Sequence, residues 1–206
     1  MKVLISILLG CLVIVLVQLR NIIERIYREV LLQAYIDKMS ELLFNKNLKK
    51  LLPEDPVLED ALYIARIKTL LILEKLVGDR ERKEIVIRFL INTEFISKLH
   101  LDLSGANLRN AKLWSVDLRG VNLSGADFRD AKLRDADLSN ANLSNVKFSS
   151  ADLRNVNFSG ANLSGTYFSD LSPYIEAKNI TPEQIKQAKN WEKAKYSPNF
   201  RKKLGL

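Results

Sequence analysis

The chain has 206 residues, of which 47% are hydrophobic and 27% charged, a composition that is ordinary for a folded protein. Its formal net charge of +8 is uneven: residues 1–100 carry 16 basic and 13 acidic side chains, residues 101–170 carry 8 of each, and residues 171–206 carry 8 and 3. The single cysteine and single histidine, Cys11 and His100, exclude an intramolecular disulfide and a Cys-based zinc site, so we predict no metal and no cofactor.

The first segment of the chain is uncharged from Val3 to Leu19, between Lys2 and Arg20. A helix of this length would be about 25 Å long, which is short but sufficient for a bilayer. We therefore expect residues 3–19 to hold the protein in a membrane as a single-pass anchor, in the plasma membrane or in the thylakoid of a photosynthetic host. A cleaved signal peptide, a lipid-modified cysteine and a buried helix of a soluble core are the alternatives.

Three arginines, Arg20, Arg25 and Arg28, follow the uncharged run, and their positive charge favours a cytoplasmic location for the rest of the protein. Apolar residues keep a helical period through residues 20–44, which predicts an amphipathic helix outside the bilayer. This stripe needs a partner, either elsewhere in the chain or in a second copy, and the second choice would make the protein a homo-oligomer.

Two helices are predicted between residues 57 and 100. The first should end at Gly78, which suits a C-terminal cap, and the second should begin after Asp79, an N-cap residue, and run to about Ile96. Basic residues in this segment lie near acidic ones, so we interpret them as a solvated surface and predict no nucleic-acid binding.

A strict five-residue period begins at Leu103. The residue two places before each repeated apolar residue is small or β-branched after the first repeat, and the other three places hold mostly Asp, Asn, Ser, Arg, Lys and Gly. The repeated position is always Leu or Phe, and these residues are expected to form the core: Leu103, Leu108, Leu113, Leu118, Leu123, Phe128, Leu133, Leu138, Leu143, Phe148, Leu153, Phe158, Leu163 and Phe168.

This pattern resembles that of the pentapeptide-repeat family, A(D/N)LXX, as in residues 106–110 (ANLRN) and 136–140 (ADLSN). The resemblance implies a right-handed quadrilateral β-solenoid, a β-helix in which each pentapeptide forms one side and four make a coil. Residues 101–170 would then give about 3.5 coils, flanked by α-helices. Residues 65–90 further resemble the helical segment that precedes the repeats in many bacterial, membrane-anchored members, which implies a cap on the first coil.

The predicted organisation has five parts: an anchor (1–20), an amphipathic helix with a linker (21–56), a helical N-terminal cap (57–100), the solenoid (101–170) and a helical C-terminal cap (171–206). In the last part, Thr181 and Gln184 have capping-box spacing, and a helix is expected to run to about Lys195.

Several outward columns of the solenoid are candidates for contact with a partner. An exposed tryptophan near arginines could anchor another protein, although the same arginines could be a solvated face screened by neighbouring aspartates. The candidate contacts are Trp114, Arg109, Arg129, Arg134 and Arg154.

The function predicted from these features is a membrane-anchored, non-enzymatic scaffold that binds an unidentified protein, because no nucleophile, base or metal signature is present. A structural component of the periplasmic or lumenal envelope is the alternative. Some members of the family resemble duplex DNA and bind type II topoisomerases, but the neutral repeat region argues against that activity here.

Overall fold

The computed structural model describes residues 2–45, 48–51, 55–169, 177 and 179–206. Within these residues, three α-helices precede the repeats and two short ones follow them. These are α1 (Lys2–Asn45), α2 (Pro56–Lys75), α3 (Arg80–Asn92), α4 (Pro182–Lys186) and α5 (Pro198–Leu204), with 3₁₀ turns at Leu48–Lys50 and Trp191–Lys193.

Helix α1 is continuous, and among its described side chains those that pack on the other helices belong to its C-terminal half. Leu32, Tyr35 and Met39 are buried there, and the Tyr35 hydroxyl lies 2.9 Å from the Thr69 hydroxyl of α2. The side chains of residues 2–12, most of the expected anchor, lie outside the described part of the molecule. No helix built from described residues combines the length and the apolar character needed to span a bilayer.

The boundary between α2 and α3 follows the capping residues. Gly78 has a left-handed φ of +76°, but α2 ends at Lys75 with Leu76 as its C-cap, so the prediction that Gly78 caps this helix is wrong by two residues. The Asp79 carboxylate accepts from the Arg82 amide at 3.1 Å, so its prediction as an N-cap is confirmed. Helix α3 ends at Asn92, earlier than predicted. Glu94 turns left-handed (φ 67°) just beyond it, and the chain then buries Phe95 completely.

From Leu103 onward the chain forms a ladder between residues about twenty places apart. The Leu108 amide donates to the Asp127 carbonyl (2.9 Å), and the Asp127 amide donates to the Ala106 carbonyl (3.0 Å). Parallel bridges repeat this register along the rod, each made by a single residue rather than by a longer strand. Four five-residue sides therefore close each coil of a β-solenoid.

The interior of the solenoid is filled by the repeated Leu and Phe side chains, all of which are fully buried. Phe128, Phe148 and Phe168 stack with centroid separations of 5.4 and 5.5 Å, because residues twenty places apart lie above one another. Phe158 comes from the opposite side and meets Phe148 edge-on at 6.0 Å. The rod is thus held by an aromatic column as well as by its backbone ladder.

The polar positions of the repeat form the corners. The last residue of every repeat from Gly105 to Gly165 has a positive φ, which explains why Gly, Asn, Asp and Ser occupy it. An Asp or Asn before the central apolar residue accepts from the amide two residues later, as Asp127 does from Arg129 at 3.0 Å. These carboxylates therefore have a structural role.

The first coil exposes carbonyls that have no ladder partner, because no coil precedes it. Three basic side chains of α2 and α3 supply the missing donors. Arg66 donates to the Ser104 carbonyl (3.3 Å), Lys83 to those of Asn107 (2.7 Å) and Arg109 (3.3 Å), and Arg88 to that of Trp114 (3.0 Å). The helices thus cap three sides of the first coil, each with a cation.

The last coil is covered by the chain that follows the repeats. The Leu163 amide donates to the Lys189 carbonyl and the Phe168 amide to the Lys195 carbonyl, both at 2.9 Å. Tyr196 stacks on Phe168 at 5.3 Å and so extends the aromatic column. The ladder therefore continues beyond the repeat motif.

The predicted helix from Thr181 to about Lys195 is wrong in length. Its capping box, formed by Thr181 and Gln184, is present, but α4 ends at Lys186. The chain leaves the helix because its next backbone groups pair with the unsatisfied groups of the last coil.

Candidate protein-binding groove

The side of the solenoid centred on Leu113, Leu133 and Leu153 carries the exposed tryptophan. Trp114 is 47% exposed, and Arg134 and Arg154 follow it at the equivalent positions of the next two coils. The structure therefore brings three of the five candidate contacts into one column.

These three side chains form part of an open groove with a volume of about 390 Å³. We call it the Trp114 groove. It is lined by Trp114, Lys132, Arg134, Asp135, Asp152 and Arg154. Its wall is held by the ladder, because the amides of Leu113, Ser115, Leu133 and Asp135 each donate to a carbonyl of the next coil.

Two carboxylates hold the arginines of the groove in place. Arg154 contacts Asp152 through two nitrogens, at 3.0 and 2.6 Å, and Arg134 contacts Asp135 at 3.0 Å. The pKa of the Asp152 carboxyl is lowered below its ordinary value, mainly because it accepts the hydrogen bond from Arg154. The two carboxylates therefore orient both guanidinium groups without a ligand.

Lys132 is the third cation of the groove, and it forms no ion pair with any residue that the structure describes. The groove thus has three positive and two negative side chains. Lys132 and Asp152 are absent from the contacts predicted from the sequence. The twenty-residue register could have found them, since they occupy the column two places before Trp114, Arg134 and Arg154.

Arg109 and Arg129 lie on the adjoining side, centred on Leu108 and Phe128, and do not line the groove. Arg109 contacts Asp130 at 3.1 Å, and Arg129 contacts Asp127 at 2.6 Å. The five predicted contacts are therefore divided between two faces of the rod.

The groove is also joined to the N-terminal cap. Arg88 of α3 donates to the Trp114 carbonyl (3.0 Å), and Lys112, two residues before Trp114 in the same repeat, contacts Glu81 of α3 at 2.9 Å. The backbone beneath Trp114 is thus fixed from above by α3 and from below by the second coil. Among the residues with described positions, no cluster of His, Cys, Asp and Glu could hold a metal ion.

Residues 102–140 and 131–170 match the family described as pentapeptide repeats, in eight copies. Residues 102–170 are pentapeptide repeats. Proteins of this family fold as right-handed β-solenoids, and they are generally structural or interaction proteins rather than enzymes.

The chain is similar to several solved pentapeptide-repeat proteins over about a third of its length. HetL, involved in heterocyst differentiation regulation in the cyanobacterium Nostoc, is 32% identical over 34% of this chain and 35% of its own, with a TM-score of 0.33. A thylakoid-lumen protein of Arabidopsis thaliana is 35% identical over 39% of this chain and 62% of its own, with a TM-score of 0.25.

QnrB1, a plasmid-mediated fluoroquinolone resistance protein, is 28% identical over 39% of this chain and 48% of its own, with a TM-score of 0.18. The chain therefore spans less than two thirds of each of these pentapeptide-repeat proteins. No curated protein matches it.

Proposed function

We propose that this pentapeptide-repeat protein is a membrane-anchored, non-enzymatic scaffold whose solenoid binds another protein at the Trp114 groove. The observation that carries the proposal is the exposed tryptophan beside two arginines on one rigid side of the rod. Trp and Arg are the residue types most enriched at binding hot spots.

The groove is suited to binding because its arginines are already ordered. Arg134 and Arg154 are held by neighbouring carboxylates, so a partner would not have to fix two long side chains when it binds. Fixing a flexible side chain at an interface costs about 0.5–1.5 kcal/mol.

The charge of the groove indicates the chemistry of its partner. Lys132 provides one positive charge beyond the two arginine–aspartate pairs, and Trp114 provides an exposed aromatic surface. A protein segment with a carboxylate next to an apolar or aromatic side chain would complement both. Arg109 and Arg129, on the adjoining side, would lie at the rim of this contact.

The proposal is tested by affinity capture with the full chain and with variants of the groove. Trp114→Ala and Arg134→Ala should each lower recovery of the bound protein at least tenfold. Arg119→Ala is the matched control, because Arg119 is an exposed arginine paired with Asp117 at 2.6 Å on a different side of the same rod. Equal recovery with all three variants would remove the groove as the contact face.

The membrane anchor is the second part of the proposal. It is supported by the uncharged sequence of residues 3–19, by the continuous helix α1 and by the apolar side chains from Val13 to Leu19, which are exposed to about half of their area. A plasma or thylakoid membrane would cover these side chains, with the solenoid on the cytoplasmic side.

Extraction and topology experiments test this placement. The protein should stay in the membrane pellet after alkaline carbonate treatment, and the solenoid should resist external protease until the cells are permeabilised. Release into the soluble fraction would refute the anchor. Degradation in intact cells would refute the cytoplasmic placement and support the alternative of a periplasmic or lumenal envelope component.

Topoisomerase binding by DNA mimicry is not proposed, because it requires an acidic surface. Five of the eight acidic side chains in residues 101–170 pair with arginines of the solenoid: Asp117 with Arg119, Asp127 with Arg129, Asp130 with Arg109, Asp135 with Arg134 and Asp152 with Arg154. Such a surface lacks the dense negative charge of a duplex.

A further inference from the structure

We propose that two copies of this chain associate in parallel through one face of α1. The face consists of Leu16, Leu19, Ile23, Ile26 and Val30, which we call the α1 seam. The association goes beyond the proposed function, since it involves neither the Trp114 groove nor the protein that would bind there. Leu16 and Leu19 also belong to the proposed membrane anchor (3–19), and the other three members of the seam lie beyond it.

The spacing of the α1 seam is that of a coiled coil. Its members alternate steps of three and four residues, and each is 49–65% exposed. From residue 18 to residue 28 the positions on the outer face of this heptad pattern are all polar: Gln18, Asn21, Glu24, Arg25 and Arg28. A narrow apolar seam with this period is complementary to a second helix of the same spacing, and a second copy supplies one.

The α1 seam lies on the opposite side of the helix from the face that packs on the protein's own core. At 3.6 residues per turn, Ile23 and Val30 are about half a turn away from Leu32, Tyr35 and Met39. Helix α1 therefore cannot bury both faces within one chain.

Ion pairs fix the rotation of α1 that leaves the seam outward. Arg28 contacts Asp79 at 3.7 Å, and Glu29 contacts Arg82, both at the start of α3. The polar side of α1 is thus held against the molecule, and the α1 seam faces away from it.

The seam has a defined lower end. The next two positions in the heptad pattern are Gln33 and Asp37, which hydrogen-bond to each other at 2.8 Å. The α1 seam therefore covers residues 16–30 rather than the whole of residues 20–44, because beyond Val30 the large apolar residues of α1 other than Phe44 are buried or half-buried inside the chain.

The exposed apolar area of the α1 seam is close to the area that a stable dimer buries per copy. Ile22 and Tyr27 flank the α1 seam and widen it to seven exposed apolar side chains. At roughly 100 Å² each they offer roughly 700 Å² per copy, close to the about 800 Å² per partner of a standard interface.

Disulfide crosslinking of the full chain tests the arrangement. In a Cys11→Ser background, Ile23→Cys should give a covalent dimer in mild detergent, because the two copies of this position face each other in a parallel pair. Arg25→Cys is the control, since Arg25 is exposed on the outer face and should give at least tenfold less dimer. Equal crosslinking of both variants, or none from Ile23→Cys, would overturn the proposal.

A second pair of variants separates loss of association from loss of folding. Ile26→Glu should convert the dimer into a monomer in analytical ultracentrifugation, whereas Arg25→Glu should leave it dimeric. Both variants should keep the circular dichroism and the groove-dependent capture of the unmodified protein. A monomeric unmodified chain, or an Ile26→Glu variant that remains a dimer, would contradict the α1 seam.

Discussion

Lys83 carries an ammonium group into the junction between α3 and the first coil. The residue is only 1% exposed, and its Nζ donates to the carbonyls of Asn107 and Arg109. Burial is the main reason that the pKa of Lys83 falls to about 8, well below its ordinary value. The cap is therefore the part of the molecule whose stability should respond to mildly alkaline pH.

The sign of this response follows from proton linkage. Between pH 8 and the ordinary lysine pKa of about 10.5, the unfolded chain binds more protons at Lys83 than the folded chain does. The free energy of unfolding should therefore rise with pH across this window, relative to a Lys83→Met variant. Urea denaturation of both proteins at pH 7.5, 8.5 and 9.5 measures this effect. The unfolding free energy of the unmodified protein minus that of the variant should increase with pH, and a value that stays constant or falls would contradict the assignment.

Single residues also explain what the repeat pattern could not predict. The period of five identifies Leu108 and Phe128 as inward positions without any structure, because only one face of each side can be buried. It says nothing about Lys83, which looks like one more charged residue of a solvated helix until the unpaired carbonyls of the first coil are seen next to it.

At the scale of the elements, the C-terminal segment behaves as a further turn of the solenoid. Tyr196 stacks on Phe168, and the Asn190 amide donates to Asn162 at 2.9 Å, as Asn162 does to Asn142 at 3.4 Å in the previous coil. The segment takes part in both the aromatic column and the asparagine ladder. It should therefore protect the amides of the last coil from solvent.

Removing the Tyr196 ring should loosen the last coil without unfolding the first. Tyr196→Ala should cost about 3 kcal/mol, and because a solenoid is stabilised by neighbouring units, the effect should be local. Hydrogen exchange should accelerate at the amides of Leu163 and Phe168 and stay unchanged at Leu108.

The control for this change is Tyr63→Ala, since Tyr63 is 65% exposed on α2. It should leave all three amides unaffected. Uniform acceleration along the rod in Tyr196→Ala would show that the segment stabilises the whole solenoid rather than its end.

The elements differ in how far the sequence predicts them. Helix starts with a capping residue, such as Asp79 and Thr181, were predicted correctly because the cap is a local interaction. Helix ends at Asn92 and Lys186 were not, since each is set by a distant contact: Phe95 enters the core, and residue 187 onward pairs with the last coil. The sequence does not predict that residues 187–196 form an extra turn of the solenoid, because they lack the five-residue spacing.

At the scale of the whole molecule, the solenoid is a short rod closed at both ends by the rest of the chain. Its first coil is capped by the cations of α2 and α3 and its last coil by residues 187–196. These contacts cover three sides of the first coil and the ladder amides of Gly160, Leu163, Gly165 and Phe168 in the last, at the edges where end-to-end association usually occurs. The sides of the rod are left as its interaction surfaces.

Among those sides, the column that begins at Trp114 could be found from the sequence, because the repeat register shows which residues lie above one another. The division of the five candidate contacts between two faces also follows from that register. The groove itself could not be predicted, since its walls depend on the directions in which Lys132 and Asp152 extend and on the pairing of the arginines.

The claim that this rod binds a protein through the Trp114 groove is tested most directly by photocrosslinking in living cells. A benzophenone amino acid placed at position 112, which lies above Lys132 at the edge of the groove, should form an adduct with one protein, and Trp114→Ala in the same chain should remove it. The same probe at position 119, on a different side of the rod, should form no such adduct. No adduct from position 112, or identical adducts from both positions, would contradict the account.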